Sequence, residues 1–185
     1  NNLSQLDLST NLLLRDLNCA GNQLTDLNVE VNTELQWIQC SSNSIESLNV
    51  SSNINLRSLE INNLLISEIN LTNNVNLEGL WVYDNSLSSL DLSNNGLINH
   101  LYAQNCQLSE LDISNLDSLK LLYANNNLLT ELDLSNNSKI NTVHLYNNSL
   151  QYLSLINNNE LREAELSENV LRSVSFNNMQ NLQYV

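Results

Sequence analysis

Leu77–Leu87 reads LEGLWVYDNSL, and the spacing of its apolar residues decides the fold of the whole chain. Its middle apolar position, Leu80, has an equivalent every 10 or 11 residues, and the two steps alternate without exception from Leu6 to Val185. Another apolar residue lies three positions before each equivalent, a third lies two positions after it, and asparagine usually lies five after it. The chain therefore repeats every 21 residues, and each repeat consists of two similar halves.

The two halves follow distinct patterns. One reads LxxLxLxxNxL, as in Leu14–Leu24, and the other reads LxxLDLSxNxxL, as in Leu87–Ile98. Together they closely resemble the leucine-rich repeat family, in particular the bacterial 21-residue subclass in which the motif is nested twice per repeat (IRREKO-like and internalin-like surface proteins). The resemblance covers essentially every residue of the chain.

The period predicts a solenoid that is mainly β, with little or no helix. In each half, two apolar residues at a spacing of two point to one face of a short strand, and a half is too short to add a long helix. We expect about nine 21-residue coils, with short parallel strands on both faces of a leucine interior. Residues 1–185 would form a single solenoid. Because the ends of the chain carry no polar capping segments, we expect a fragment of a larger protein that lacks its caps.

Asparagine is predicted to build the turns, because a buried amide can satisfy backbone groups that no strand pairs. One column comprises Asn22, Asn43, Asn85, Asn127, Asn148 and Asn169, and the other comprises Asn11, Asn32, Asn53, Asn74, Asn95, Asn137 and Asn158. Leu64 and Leu116 interrupt these columns, and we expect locally different turns there.

Composition limits the function. The chain has a formal charge of −14 and only six Lys and Arg, which argues against nucleic acid as a partner. No apolar run approaches the roughly 18 residues of a membrane span, so membrane insertion is not expected. No metal-ligand spacing is present, and we expect neither a metal site nor a cofactor. The three cysteines, Cys19, Cys40 and Cys106, are predicted to be buried thiols, and no catalytic residue is indicated, so an enzyme is not expected.

The side of the coil that carries LxxLxLxxNxL, here called the aromatic face, has an unusual outward composition. It holds seven of the nine aromatic residues and both histidines. Exposed aromatic clusters are typical of binding sites, although aromatic ladders also stabilise sheets. Gly79 either lets a ligand approach closely or is a tolerated irregularity. The candidate ligand-binding residues are Trp37, Trp81, Tyr83, His100, Tyr102, Tyr123, His144 and Tyr146.

The opposite side, here called the second face, carries aspartates in its central outward column. Asp91, Asp112 and Asp133 follow one another at the spacing of one coil. Calcium between their carboxylates would relieve the repulsion, but aspartate also belongs to the LDL pattern of the family, and both interpretations stay open.

We therefore predict a non-catalytic recognition module that binds a protein partner through the aromatic face, as the resemblance to bacterial adhesins implies. A carbohydrate-binding accessory domain and a rigid structural spacer are the alternatives. The resemblance also implies an extracellular or cell-surface location. It leaves the oligomeric state open.

Overall fold

The computed structural model describes residues 1–185 and contains ten strands of three residues each and no helix. No part of the chain forms a helix of the length and hydrophobicity that a membrane crossing requires. The strands are β1 (Asp16–Asn18), β2 (Trp37–Gln39), β3 (Ser58–Glu60), β4 (Gly79–Trp81), β5 (His100–Tyr102), β6 (Leu121–Tyr123), β7 (Glu131–Asp133), β8 (Thr142–His144), β9 (Tyr152–Ser154) and β10 (Glu163–Glu165).

Eight strands form one parallel sheet under the aromatic face, in the order β1-β2-β3-β4-β5-β6-β8-β10. Each residue of a strand pairs in register with the residue 21 positions further along the chain, as Leu80 pairs with Leu101. The first strand begins at Asp16 and the last at Glu163, so the sheet spans seven complete turns. The prediction of about nine coils is wrong in number, because the last repeat adds only a single bridge, between Glu163 and Tyr184.

The interior is a continuous column of apolar side chains. The 46 buried hydrophobic residues form one cluster, and the middle residue of each strand in the eight-stranded sheet points into it. Burying one leucine stabilises the fold by about 1.5–3 kcal/mol, so each coil depends on its neighbours to cover its own leucines. The predicted leucine interior is confirmed.

The asparagine columns are confirmed as the turn-forming groups. Under the aromatic face, the Asn85 amide nitrogen donates to the carbonyls of Ile61 and Val82, both at 2.9 Å, and its oxygen accepts the Ile66 N–H at 3.2 Å. Under the second face, the buried Asn53 amide donates to two carbonyls of the preceding coils. Its oxygen has no hydrogen-bond partner in the chain.

The prediction of different turns at Leu64 and Leu116 is wrong, although both side chains are buried as expected. Leu116 makes the same two backbone hydrogen bonds as the equivalent asparagines, because the backbone alone closes this turn. The neighbouring Asn115 amide supplies the missing donor to the Leu92 carbonyl, at 2.8 Å. At Leu64 the turn keeps its left-handed residue, Asn63, with φ of 54°.

The second face differs from the prediction of parallel strands on both sides. Only β7 and β9 pair there, with Glu131 opposite Tyr152. From Asp7 to Asp133 the outward Asp or Asn side chain accepts the N–H two residues further on, as Asp112 does from Ser114 at 2.9 Å, and Asp133 does so within β7. Buried asparagine amides, such as that of Asn53, join neighbouring coils on this side.

Candidate functional site

The aromatic face is the outward surface of the eight-stranded sheet. In each strand the middle residue is directed inward and the two flanking residues are directed outward, so one strand adds two side chains to the face. The in-register pairing places each outward residue beside its equivalents from neighbouring coils. All eight predicted site residues lie on this face, and all are partly buried.

Four of the predicted residues form one continuous stack along the sheet. The Trp81 and Tyr102 rings have centroids 5.4 Å apart at an interplanar angle of 11°, and Tyr102 and Tyr123 are 4.7 Å apart at 11°. His144 extends the stack at 4.4 Å from Tyr123, tilted by 37°. We call these four residues the ring stack.

Stacking decides which atoms a ligand can reach. The faces of the inner rings, Tyr102 and Tyr123, are covered by their neighbours, so these rings present edges and hydroxyl groups to solvent. Among the Trp and Tyr residues of this face, only Trp37 and Tyr184 use a polar atom in a hydrogen bond within the chain. The phenol groups of the stack are therefore free to bond a partner.

Gly79 has a role that neither sequence interpretation foresaw. The Trp81 indole folds back over Gly79, and a Cβ atom there would collide with Cζ3 and lie 2.6 Å from Cη2 of the ring. The glycine is buried beneath the indole. It therefore seats the first ring of the stack, and no space remains for a ligand to approach its backbone.

A carboxylate lies next to each end of the ring stack. Nε2 of His144 lies 3.0 Å from an oxygen of Glu163. At the other end, Glu60 accepts hydrogen bonds from the indole N–H of Trp37 at 2.8 Å and from the Gln39 amide at 2.9 Å. Trp37 is separated from the ring stack by β3. The face thus contains one stack and one isolated, anchored indole.

The remaining predicted residues, Tyr83, His100 and Tyr146, lie on the same face but make no ring contact. Burial raises the pKa of Tyr83, and the nearby carboxylates of Asp84 and then Glu60 add to the effect. Burial, followed by the Lys120 ammonium group, lowers the pKa of His100 and favours its neutral form. His100 lies on one side of the stack, and Tyr83 and Tyr146 lie on the other.

Solved structures resemble the whole fold. The functional domain of InlJ from Listeria monocytogenes, described as including a cysteine ladder, is 25% identical, with a TM-score of 0.69 over 98% of this chain and 50% of that one. The leucine-rich effector YopM from Yersinia pestis is 28% identical, with a TM-score of 0.77 over 88% of this chain and 46% of that one. A leucine-rich repeat protein from Leptospira interrogans is 20% identical, with a TM-score of 0.84 over 91% of this chain and 47% of that one.

The chain is a leucine-rich repeat protein. It spans about half the length of the proteins it matches. No protein-family model matches it, and no curated sequence is similar to it. Repeat spacing, parallel register and buried asparagine turns agree with the family assignment.

A row of amides that the sequence analysis missed borders the aromatic face of this leucine-rich repeat protein. Asn105 donates to Asp84, Asn126 to Asn105 and Asn147 to Asn126, at 2.6, 2.6 and 2.7 Å. Each of the four has a positive φ, between 52° and 56°. Because Asn, Asp and Gly tolerate this conformation, their recurrence at one repeat position could have predicted a left-handed turn residue from the sequence.

The buried thiols of the repeat protein are not placed for catalysis. Cys19, Cys40 and Cys106 are all buried and free, as predicted. Burial, with a smaller effect of Cys19, raises the pKa of Cys40 to about 12, so it remains a thiol. No group of three or more His, Cys, Asp or Glu side chains is arranged to hold a metal ion.

Proposed function

We propose that this protein is a non-catalytic recognition module that binds a protein partner through the aromatic face. The ring stack carries the proposal: four adjacent coils present aromatic edges on one continuous parallel sheet. Aromatic residues dominate protein interfaces because they bury a large area at little cost in side-chain entropy. We further propose a place at a bacterial surface or outside the cell, which the likeness to internalin structures supports.

The ring geometry also narrows the partner. A sugar ring needs an open aromatic face, whereas Tyr102 and Tyr123 offer edges and hydroxyl groups. Such groups suit the carbonyl and carboxylate acceptors of a protein surface. The carbohydrate alternative is therefore less well supported on this face than the protein alternative.

A test should remove the binding groups without disturbing the stack. In the double substitution Tyr102→Phe and Tyr123→Phe the rings stay and the two hydroxyl groups are lost. After capture from surface-exposed host or neighbouring-cell proteins, the purified partner is titrated against wild type and variant. Loss of two hydrogen bonds should weaken binding about tenfold or more.

Tyr152→Phe, which removes a hydroxyl from the second face, is the matched control and should bind as wild type does. Equal affinity of wild type and the double variant for every captured protein would contradict the proposal. The spacer alternative predicts that replacing Trp81, Tyr102, Tyr123 and Tyr146 together by Ser leaves the function of the parent protein unchanged. Activity of the chain in a broad hydrolase screen would contradict the non-catalytic part of the proposal.

A further inference from the structure

The second face contains two grooves that meet at Tyr152. One groove has a volume of about 790 Å³ and extends from Ser89 to Ser154. The other has a volume of about 720 Å³ and extends from Tyr152 to Asn178. Both are lined by Tyr152 and Ser154, so these residues lie on the ridge between them.

Tyr152 differs from every ring of the ring stack. It is 60% exposed and contacts no other aromatic ring. Its hydroxyl group makes no hydrogen bond within the chain, since Tyr184 is the only tyrosine that does so. It belongs to β9, which is paired with β7, so the ring stands on the one rigid element of the second face. A ligand can therefore pack against the ring.

Carboxylates and hydroxyl groups line the larger groove on one side of this ring, and hydroxyl, amide and apolar groups line the smaller groove on the other. The larger groove is lined by Asp91, Asp112, Asp133, Glu110 and Glu131, together with several serines, and neither groove is lined by Lys or Arg. The three aspartates each use one oxygen to accept the N–H two residues further on. The turn fixes each side chain in place, and serine hydroxyl groups lie beside the carboxylates.

The turn itself does not require these negative charges. In earlier coils of the same column, Asn28, Asn49 and Asn70 make the same hydrogen bond to the N–H two residues further on. Neutral asparagine thus supports the fold equally well at this position. Three carboxylates at successive coils repel one another, and the turn hydrogen bond does not account for their presence.

We propose that this groove binds an oligosaccharide that carries amino groups, with a sugar ring packed on Tyr152 and the amino and hydroxyl groups bound by the surrounding carboxylates. The open ring supplies the apolar surface that a sugar face covers. Ionised carboxylates are strong acceptors for ammonium and hydroxyl donors, and a cationic ligand relieves their mutual repulsion. The site is on the side opposite the aromatic face and does not depend on the function proposed there.

The test uses isothermal titration calorimetry of the full chain with three probes: the glucosamine tetramer, its fully N-acetylated form and tetralysine. The glucosamine tetramer should bind most tightly. Tyr152→Ala should weaken its binding about tenfold, because an aromatic contact is lost. The control Leu65→Ala removes a side chain that is 57% exposed and lies outside both grooves, and it should leave binding unchanged.

A second variant, Asp112→Asn with Asp133→Asn, keeps the turns, because asparagine makes them elsewhere in the chain. This variant should bind the glucosamine tetramer more weakly. The difference in affinity between the glucosamine tetramer and its N-acetylated form should become smaller. The proposal is overturned if the glucosamine tetramer does not bind at millimolar concentration, or if Tyr152→Ala has no more effect than Leu65→Ala. It is also overturned if tetralysine binds as tightly as the sugar, since charge alone would then explain the binding.

Discussion

The two sides of each coil share a leucine and asparagine pattern but are held to their neighbours in different ways. Under the aromatic face, backbone hydrogen bonds join eight strands without a break, and outward side chains contact one another from coil to coil. On the second face, pairing is confined to β7 and β9, and outward side chains bond to their own turn. The aromatic face is therefore one continuous surface suited to a protein, whereas the second face holds grooves suited to a smaller ligand.

The largest effect is expected from the buried asparagines. Asn85 lies between Leu64 and Cys106 in its column, so no neighbouring amide can replace it. Asn85→Leu should remove the donor of the Ile61 carbonyl and the acceptor of the Ile66 N–H, and leave the Val82 carbonyl with only the Cys106 thiol at 3.5 Å. We expect the free energy of unfolding in urea to fall by about 3 kcal/mol.

The matched change on the second face is Asn53→Leu. The carbonyls that Asn53 bonds, those of Val29 and Asn32, also accept backbone N–H groups, and leucine occurs naturally at the equivalent Leu116. A loss of about 1 kcal/mol is expected. If Asn53→Leu costs as much as Asn85→Leu, the two faces do not differ in the way described.

The next largest loss of stability is expected when a glycine is replaced by alanine. Gly79→Ala would place a methyl group inside the Trp81 indole and force the ring away from Tyr102, at a cost of about 2 kcal/mol. Near-ultraviolet circular dichroism should show the loss of the stacked Trp–Tyr signal. Gly96→Ala, on the second face, meets only the Asn115 carbonyl at 3.2 Å and should cost less. An unchanged spectrum in Gly79→Ala would show that the ring does not depend on the glycine.

The smallest effect is a pH dependence that belongs to the second face. Hydrogen bonds from Ser114 and Ser135 lower the pKa of Asp112 and Asp133 below the ordinary value. The unfolded chain therefore binds more protons below about pH 4, and the stability contributed by these bonds is lost as the pH falls further. Between pH 5 and pH 2.5, the unfolding temperature should fall less steeply in the variant Asp112→Asn with Asp133→Asn than in wild type. Parallel profiles would contradict this account.

Spacing alone predicted the register and the contents of the interior. A period of 21 places Leu80 beside Leu101 and brings Trp81, Tyr102 and Tyr123 into one column, because parallel in-register strands leave no other arrangement. Periodicity carries no information on ring planes or side-chain rotamers. The stacking, which decides that edges face the solvent, and the indole that covers Gly79 therefore required the structure.

The second face was harder to predict for a related reason. An outward aspartate or asparagine is compatible with a strand and with a local turn, and the sequence pattern is the same for both. The turn forms at every outward position from Asp7 to Asp133, and strand pairing is added only at β7 and β9, where Asp133 makes both. The grooves beside Tyr152 leave no mark on the period.

The sharing of turn carbonyls between coils has a consequence for how such a chain can change over generations. The Ala124 carbonyl accepts from both Asn127 and Asn148, and the Leu145 carbonyl accepts from both Asn148 and Asn169. An isolated substitution is thus tolerated, but two in succession are not. Substitutions of asparagine in this column should therefore be separated by at least one coil that keeps its asparagine. Leu64 and Cys106 are separated in this way by Asn85.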